Sequence, residues 1–387
     1  MSAHPCVGER AKLEVADIVR AHRAELEAKH WVTLEQRRVL SAMALCRTAA
    51  LGGHLDLCHS CHLERPSYNS CRNRHCPKCQ ALAQERWIAA RAEKLLPVGH
   101  YHAVFTVPSE LRPLAHQAPR AVYDALFQAA SETLQELGRT RADTMLGITM
   151  VLHTWTRELG YHPHVHAIVT AGGLTESGWK PMSLKYLFPV EVMGELLRGK
   201  MQTHLRELLR AGQLPLRSQE LERLMQQLNQ HERWVVYVKK AFRHAEHVLK
   251  YLGRYTHRVA ISNGRLVAAD QDHVTFRTKN GQTVTLEPAE FLHRFIQHVL
   301  PKGLQKIRHY GLYAAAASEA LTQARALLHG ANSDETRVNI ERLRNWQSAL
   351  KELTGRDVNV CPKCGGKVVH QPLAAQPRAP PEAHRAA

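Results

Sequence analysis

"YHPHVHAIVTAGG", residues 161 to 173, sets histidines at every second position, His162, His164 and His166, then runs into apolar residues closed by two glycines. Such alternation reads as a strand, because side chains two residues apart in a strand share a face. His164 and His166 then point the same way, close enough for both imidazoles to reach one cation, and His162 joins them if Pro163 does not bend the strand. By itself a His-x-His pair is a weak sign of a metal, since surface and hydrogen-bonded core histidines give the same pattern. Its meaning depends on what else the chain brings to that face.

Outward from this stretch, "HAVFTVP", stopped by Pro108, and "MLGITMVLHTW" are further strand candidates, and "PRAVYDALFQAASETLQEL" between them reads as a helix. Residues 191 to 230 are helical and polar, "WVVYVK" returns to strand, and "AEHVLKYLGRYTHR" is helical until the β-type run "VAISNGRLVAA". Asn-Gly pairs at Asn263 and Asn280 mark two hairpins. Ahead of all this, amphipathic helices are expected near Leu13 to Ala28 and in "TLEQRRVLSAMALCRTAA", where Thr33 caps. The reading is an α+β chain of consecutive parts: 1–92, helices and a cysteine-rich module; 93–312, a sheet domain with a helical insertion at 190–232; and 313–387, a helical extension, a CPKC knuckle and a Pro- and Ala-rich tail that reads as disordered.

The chain has 387 residues, of which 44% are apolar, enough for a core, and 22% charged, which argues against wholesale disorder. Its 52 Lys+Arg against 35 Asp+Glu leave a net charge of +17, which favours a polyanionic partner, nucleic acid ahead of an anionic membrane. No apolar run approaches membrane-spanning length and the first residues lack a signal-peptide core, so a soluble, cytoplasmic protein is expected. No G-x-x-x-x-G-K-[ST] pattern occurs, so an intrinsic ATPase motor is not indicated.

Five of the nine cysteines crowd into "CHSCHLERPSYNSCRNRHCPKC". Without an export signal this clustering reads as metal binding rather than disulfides. Cys58-x2-Cys61, fourteen intervening residues and Cys76-x2-Cys79 offer four thiolates to one structural zinc, one residue short of the usual ribbon window. Cys71 or His75 is an alternative ligand. Arg65, Arg72, Arg74, Lys78 and Arg86 surround these cysteines and can present cations to phosphates, unless they are simply a solvated face. Cys6 and Cys46 stand alone and read as small side chains. Cys361 and Cys364 are half a site, either a second knuckle with outside ligands or a pair of free thiols.

"EHVLKYLGRYTHR" places Tyr251 and Tyr255 four apart, so they share a helical face, with His247 one turn earlier and Lys250, Arg254 and Arg258 nearby. Alone, two such tyrosines read as core. Beside a histidine pair in a basic chain they suggest more: a phenol of pKa about 10 needs nearby cations or a base, and a metal polarising the centre it attacks, to act as a nucleophile near neutral pH. That combination suits transfer of a DNA strand onto tyrosine.

In order, "SYNSCRNRHCPKCQ", "VFTVP", "YHPHVHAIVTAGGL", "YLGRYTHRVAISN" and "HVLPKGLQKIRHYGLY" resemble the transposases of the insertion sequence 91 family, of the HUH (histidine, hydrophobic residue, histidine) superfamily, over nearly the whole chain. The resemblance implies an HUH-type antiparallel sheet flanked by helices and preceded by a zinc module. It implies His164 and His166 as ligands of Mg²⁺ or Mn²⁺, and Tyr251 and Tyr255 as nucleophiles that cut single-stranded DNA at element ends through a 5′-phosphotyrosine link. It also implies rolling-circle transposition with the host replication machinery, in the cytoplasm at the nucleoid. No motif fixes the third metal ligand; His247 is preferred over His162 because it stacks one turn before Tyr251, and imidazoles suit Mn²⁺ better than Mg²⁺. The rivals are a zinc-dependent DNA-binding regulator without catalysis, and a metallohydrolase, whose His-x-His-x-Asp-His continuation is missing after His166.

Overall fold

The computed structural model describes residues 13–92, 94–242, 260–328, 347–348, 350–351, 355 and 357–376. The chain divides into two units: one takes Met1–Arg86, Ile261–Ile296 and Ile340–Ala387, the other Trp87–Ala260 and Gln297–Asn339. The first unit is therefore drawn from three separated stretches, where the sequence suggested consecutive segments.

The first elements among the described residues are α1 (Val15–Lys29) and α2 (Leu34–Leu45), then β1 (Gly53–Cys58), β2 (Glu64–Tyr68) and α3 (Ala81–Ala92). It continues through β3 (His100–Thr106), α4 (Arg112–Gln117), α5 (Pro119–Leu137), β4 (Met145–Trp155), β5 (Tyr161–Thr175), β6 (Gly178–Pro181), α6 (Val190–Arg210), α7 (Ser218–Gln230) and β7 (Val236–Phe242). Beyond residue 260 come β8 (Leu266–Ala269), β9 (Val274–Arg277), β10 (Thr283–Leu286), α8 (Pro288–Ile296), β11 (Ile307–Gly311), α9 (Ser318–Leu327) and β12 (Val368–Leu373). The result is an α+β fold whose strand pairs are antiparallel.

In the second unit the sheet order is β11-β4-β5-β3-β7, with β6 paired to β5. The stretch quoted first is thus the central strand. Its odd-numbered residues Val165, Ala167 and Val169 face a core with Tyr101, Ala103 and Phe105 of β3 and Ile148, Met150 and Leu152 of β4. Leu126, Ala130 and Leu134 of α5 and Met193, Leu197 and Met201 of α6 belong to the same core. Each large apolar side chain so buried contributes about 1.5–3 kcal/mol. A slip of one residue would move that set to the other face, so the core fixes which face the even-numbered histidines occupy. The closing glycines have a steric reason: a Cβ at Gly172, whose φ is +148°, would lie 2.8 Å from the Trp179 ring, and one at Gly173 would lie 2.6 Å from the Met145 carbonyl oxygen.

In the first unit, Thr33 caps α2 in a reciprocal box: its hydroxyl accepts from the Gln36 N–H at 3.3 Å and its own N–H donates to the Gln36 side chain at 2.8 Å. α1 buries Val15, Ile18, Val19 and Leu26 and packs on α8, which buries Phe291, Leu292 and Phe295. Of the two Asn-Gly pairs, only Asn280, at φ 60°, turns a hairpin, between β9 and β10. Asn263 instead opens a 3-10 turn, and its side-chain oxygen accepts from the Val15 N–H at 3.1 Å, one of the donors that a helix start leaves unpaired. A three-stranded sheet, β12-β1-β2, completes the unit.

Candidate functional site: a histidine face and two cysteine tetrads

Directly opposite His164 on β5 stands His153 on β4. Opposite residues of antiparallel strands share a face, so His153, His164 and His166 converge. One ring nitrogen from each lies within 4.8 Å of the others. Their ring centroids are 5.5 Å (His153 to His164), 4.2 Å (His153 to His166) and 4.9 Å (His164 to His166) apart. His164 Nδ1 donates to the His162 carbonyl at 2.7 Å, which leaves the lone pair on Nε2. His102 of β3 holds His166 through an Nε2 to Nδ1 hydrogen bond of 2.8 Å, and His153 stacks on Trp155 at 4.6 Å.

Burial pushes His164 down to about 4 and His166 well below the usual imidazole range, the latter helped by His164, His102 and Lys239. His102 falls to about 3, again chiefly by burial. Near neutral pH all are neutral imidazoles, the form that donates a lone pair to a metal. Convergent nitrogens with oriented rings fit a divalent cation, and His102 and the His162 carbonyl take the outer positions that orient ligands. On β7, Tyr237 opposite Val104 and Lys239 opposite His102 extend the same face to an exposed strand.

Two of these histidines were not singled out in the sequence. His153 is a lone histidine in an apolar run and becomes meaningful only once β4 is paired with β5. His102 had a visible signal: "HYH" at His100 to His102 is a second His-x-His, on the strand paired with the first. His162 is not part of the trio; its Nδ1 meets Arg112 Nη2 at 3.1 Å. His247, Tyr251, Tyr255, Arg254 and Arg258 lie outside the described residues.

The cysteines group differently from the expected set of Cys58, Cys61, Cys76 and Cys79. Cys76 and Cys79 gather with Cys71 and with Cys46, whereas Cys58 and Cys61 gather with Cys361 and Cys364. The physical reason is strand pairing: β1 carries Cys58 to the start of β12, and the end of α2 brings Cys46 to the loop before α3. In the first tetrad the Sγ separations are 3.4 Å (Cys46 to Cys79), 3.6 Å (Cys71 to Cys79) and 3.7 Å (Cys46 to Cys76). A tetrahedron with Zn–S bonds of about 2.3 Å has edges of about 3.8 Å, so these thiols fit one zinc ion. Hydrogen bonding with the neighbouring thiols, Cys71 first, holds Cys46 down at about 7. His75 is buried and bonded to Asn73, Nδ1 to Oδ1 at 3.2 Å.

Among the expected phosphate-facing cations, Arg72 is exposed and Arg74 half-buried, its pKa lowered by desolvation. Lys78 is ion-paired with Glu14 and Arg65 with Asp56, so their charge is already engaged.

Residues 18–107 match a family profile described as a transposase zinc-binding domain, and residues 147–320 one described as a putative transposase. The putative transposase y4qJ of Sinorhizobium fredii is 38% identical over 375 residues, covering 92% of this chain and 94% of that protein. The transposase for insertion sequence element IS801 of Pseudomonas savastanoi pv. phaseolicola is 32% identical over 296 residues, 71% of this chain and 69% of that one. No solved structure matches. The second matched region contains His153, His164 and His166; the first contains all of the Cys46 tetrad but only Cys58 and Cys61 of the other. Among the described residues no helix is long and apolar enough to cross a membrane.

Proposed function

The chain belongs to the insertion sequence 91 family of transposases, and on that premise we propose that it cuts and rejoins single-stranded DNA at element ends, with His153, His164 and His166 holding Mg²⁺ or Mn²⁺. The family makes it an enzyme that cleaves DNA and transfers strands. The observation that carries the finer reading is the convergence of three imidazoles on one sheet face inside the matched transposase region. A divalent cation bound there supplies Lewis acidity toward a phosphoryl oxygen. His102 and the His162 carbonyl keep the ligand rings in place, and Lys239 and Tyr237 border the same face as cation and aromatic platform for a single strand.

The nucleophiles are assigned to Tyr251 and Tyr255 on the strength of the motif "YLGRY". A tyrosine oxygen bonds to the scissile phosphorus as the bond to the 3′ oxygen breaks; the phenol proton leaves and the 3′ oxygen takes up a proton. The products are a 5′-phosphotyrosine link and a free 3′-OH. The link conserves the bond energy, so the chain needs no ATP, consistent with its lack of a phosphate-loop motif. The second tyrosine serves the far end, and the free 3′-OH can prime synthesis by the host replication machinery. Arg72, exposed on the zinc-binding module, is assigned to phosphates, and Arg254 and Arg258 are assigned as further cations on the strength of their place in the tyrosine motif.

The test is a labelled single-stranded oligonucleotide carrying the element end, incubated with Mn²⁺. A covalent protein adduct is expected for the wild type and none for the double variant Tyr251→Phe, Tyr255→Phe. Equal behaviour of the two would end this reading in favour of a DNA-binding regulator.

A further inference from the structure

We infer that the chain carries two zinc ions, and that Cys58, Cys61, Cys361 and Cys364 hold the second, closing the C-terminal stretch onto the N-terminal module. The matched zinc-binding region stops at residue 107, so half of this site lies far outside it. Four observations support the assignment.

The first is that the two CxxC turns are built alike. The Cys58 N–H donates to the Leu63 carbonyl at 3.0 Å and the His62 N–H to the Cys58 carbonyl at 2.9 Å. Likewise the Cys361 N–H donates to the Gly366 carbonyl at 2.8 Å and the Gly365 N–H to the Cys361 carbonyl at 2.9 Å. Both turns put a left-handed residue at the same offset, His62 at φ 56° and Gly365 at φ 75°. In the second turn, backbone N–H groups of Lys363 and Gly366 point at Cys361 Sγ and Cys364 Sγ, each at 3.4 Å, as donors that stabilise a thiolate.

The second is distance. Cys58 and Cys364 Sγ lie 3.4 Å apart, Cys61 and Cys361 Sγ 3.6 Å, close to the edges of a zinc tetrahedron. The third is register: β1 and β12 pair from Gly53 opposite Leu373 to Cys58 opposite Val368, which delivers the two turns side by side. The fourth is the small size of the apolar cluster among the described residues. The buried cluster here is Cys58, Cys361 and Val368, with Cys61 and Leu63 against it. A three-stranded sheet with so little apolar surface needs a staple, and four thiolates around zinc supply one.

A third cluster on the same sheet, His54, Asp56 and His370, is a hydrogen-bonded network instead. Asp56 accepts from Arg65 at 2.8 Å and from His370 at 2.8 Å, so a cation is already in place.

The experiment is elemental analysis of the full chain purified without chelator. Two zinc ions per chain are expected, falling to one in Cys361→Ser, Cys364→Ser and to one in Cys71→Ser, Cys76→Ser. A single zinc in the wild type, or two retained in the Cys361→Ser, Cys364→Ser variant, overturns the inference. Because a variant can fail to fold, the wild type is also titrated with Co²⁺ after zinc removal. Thiolate-to-cobalt absorbance that saturates at two equivalents supports it, and saturation at one overturns it. An intact mass lacking four hydrogens with one zinc, which denotes two disulfides at these cysteines, also overturns it.

Discussion

The histidine face and the cysteine tetrads both gather metal-donating side chains, but from very different distances along the chain. His153, His164 and His166 sit on the two strands of one hairpin, and the partner of His164 is simply the residue across the ladder. Cys61 meets Cys361, 300 positions away, and Cys46 at the end of a helix meets a loop after the next two strands. In the first site, His164 and His166 follow from strand alternation, a local law, and His153 from the neighbouring strand of the same hairpin. The second depends on which strands become neighbours, which spacing does not reveal. Orientation within each turn is local even there, since both CxxC turns repeat one hydrogen-bond pattern.

The contrast can be broken most forcefully at the thiols. Structural zinc in small modules contributes about 10–16 kcal/mol of apparent binding free energy at pH 7, so one lost ligand should unfold its surroundings. Cys76→Ser is expected to make the 13–86 stretch susceptible to limited proteolysis while fragments spanning β3 to β7 stay resistant; uniform resistance would show that the thiols hold no metal. Next in size, His102→Gln should weaken Mn²⁺ binding about 10- to 100-fold, the usual effect of losing an outer-sphere partner. Calorimetric titration checks this, and an unchanged affinity would remove His102 from the site.

Acid should distinguish the sheet unit from an ordinary domain. Burial lowers His298 to about 3 and His100 to about 4, the first bonded to Thr154 and the Leu159 carbonyl, the second to Tyr313 and the Val98 carbonyl. Above the unfolded value of about 6.5 both states are neutral and nothing is lost. As pH falls below it, the unfolded chain binds protons that the folded chain refuses, so stability drops by up to about 1.4 kcal/mol per pH unit per histidine, until the folded values are reached. The urea midpoint is therefore expected to fall between pH 7 and pH 5, and His298→Asn should flatten the slope. The smallest effect is at the cap: Thr33→Ala should cost about 1 kcal/mol in thermal or urea unfolding of the first unit.

Much of the fold was legible. The helix from Pro119 to Leu137 and the strand from Met145 to Trp155 coincide with the elements read from periodicity, because Pro119 opens the first and the apolar run of the second is buried along nearly all its length. The α+β class, the antiparallel sheet and the zinc-binding module of an insertion sequence 91 transposase were legible as well. Asn263 shows where local signals mislead: its side chain serves the start of α1, a tertiary task, so no hairpin forms there. His153 was invisible because a single histidine in an apolar strand carries no period. Cys46 read as a lone small residue because its partners lie beyond a helix end and two strands. The stretch read as the tyrosine helix and residues 377–387 of the tail lie outside the described residues, whereas Gln371, Pro372 and Leu373, read as the start of a disordered tail, form the end of β12 because β1 pairs with them.

The histidine face is proposed here as a metal site for DNA cleavage. It is tested most directly by measuring Mn²⁺-dependent adduct formation on the end oligonucleotide in His153→Ala, alongside circular dichroism and binding of the same oligonucleotide. Retained fold and DNA binding with adduct formation reduced at least about a hundredfold is the predicted result, since one of three ligands is gone. Adduct formation at the wild-type rate and Mn²⁺ dependence would contradict it.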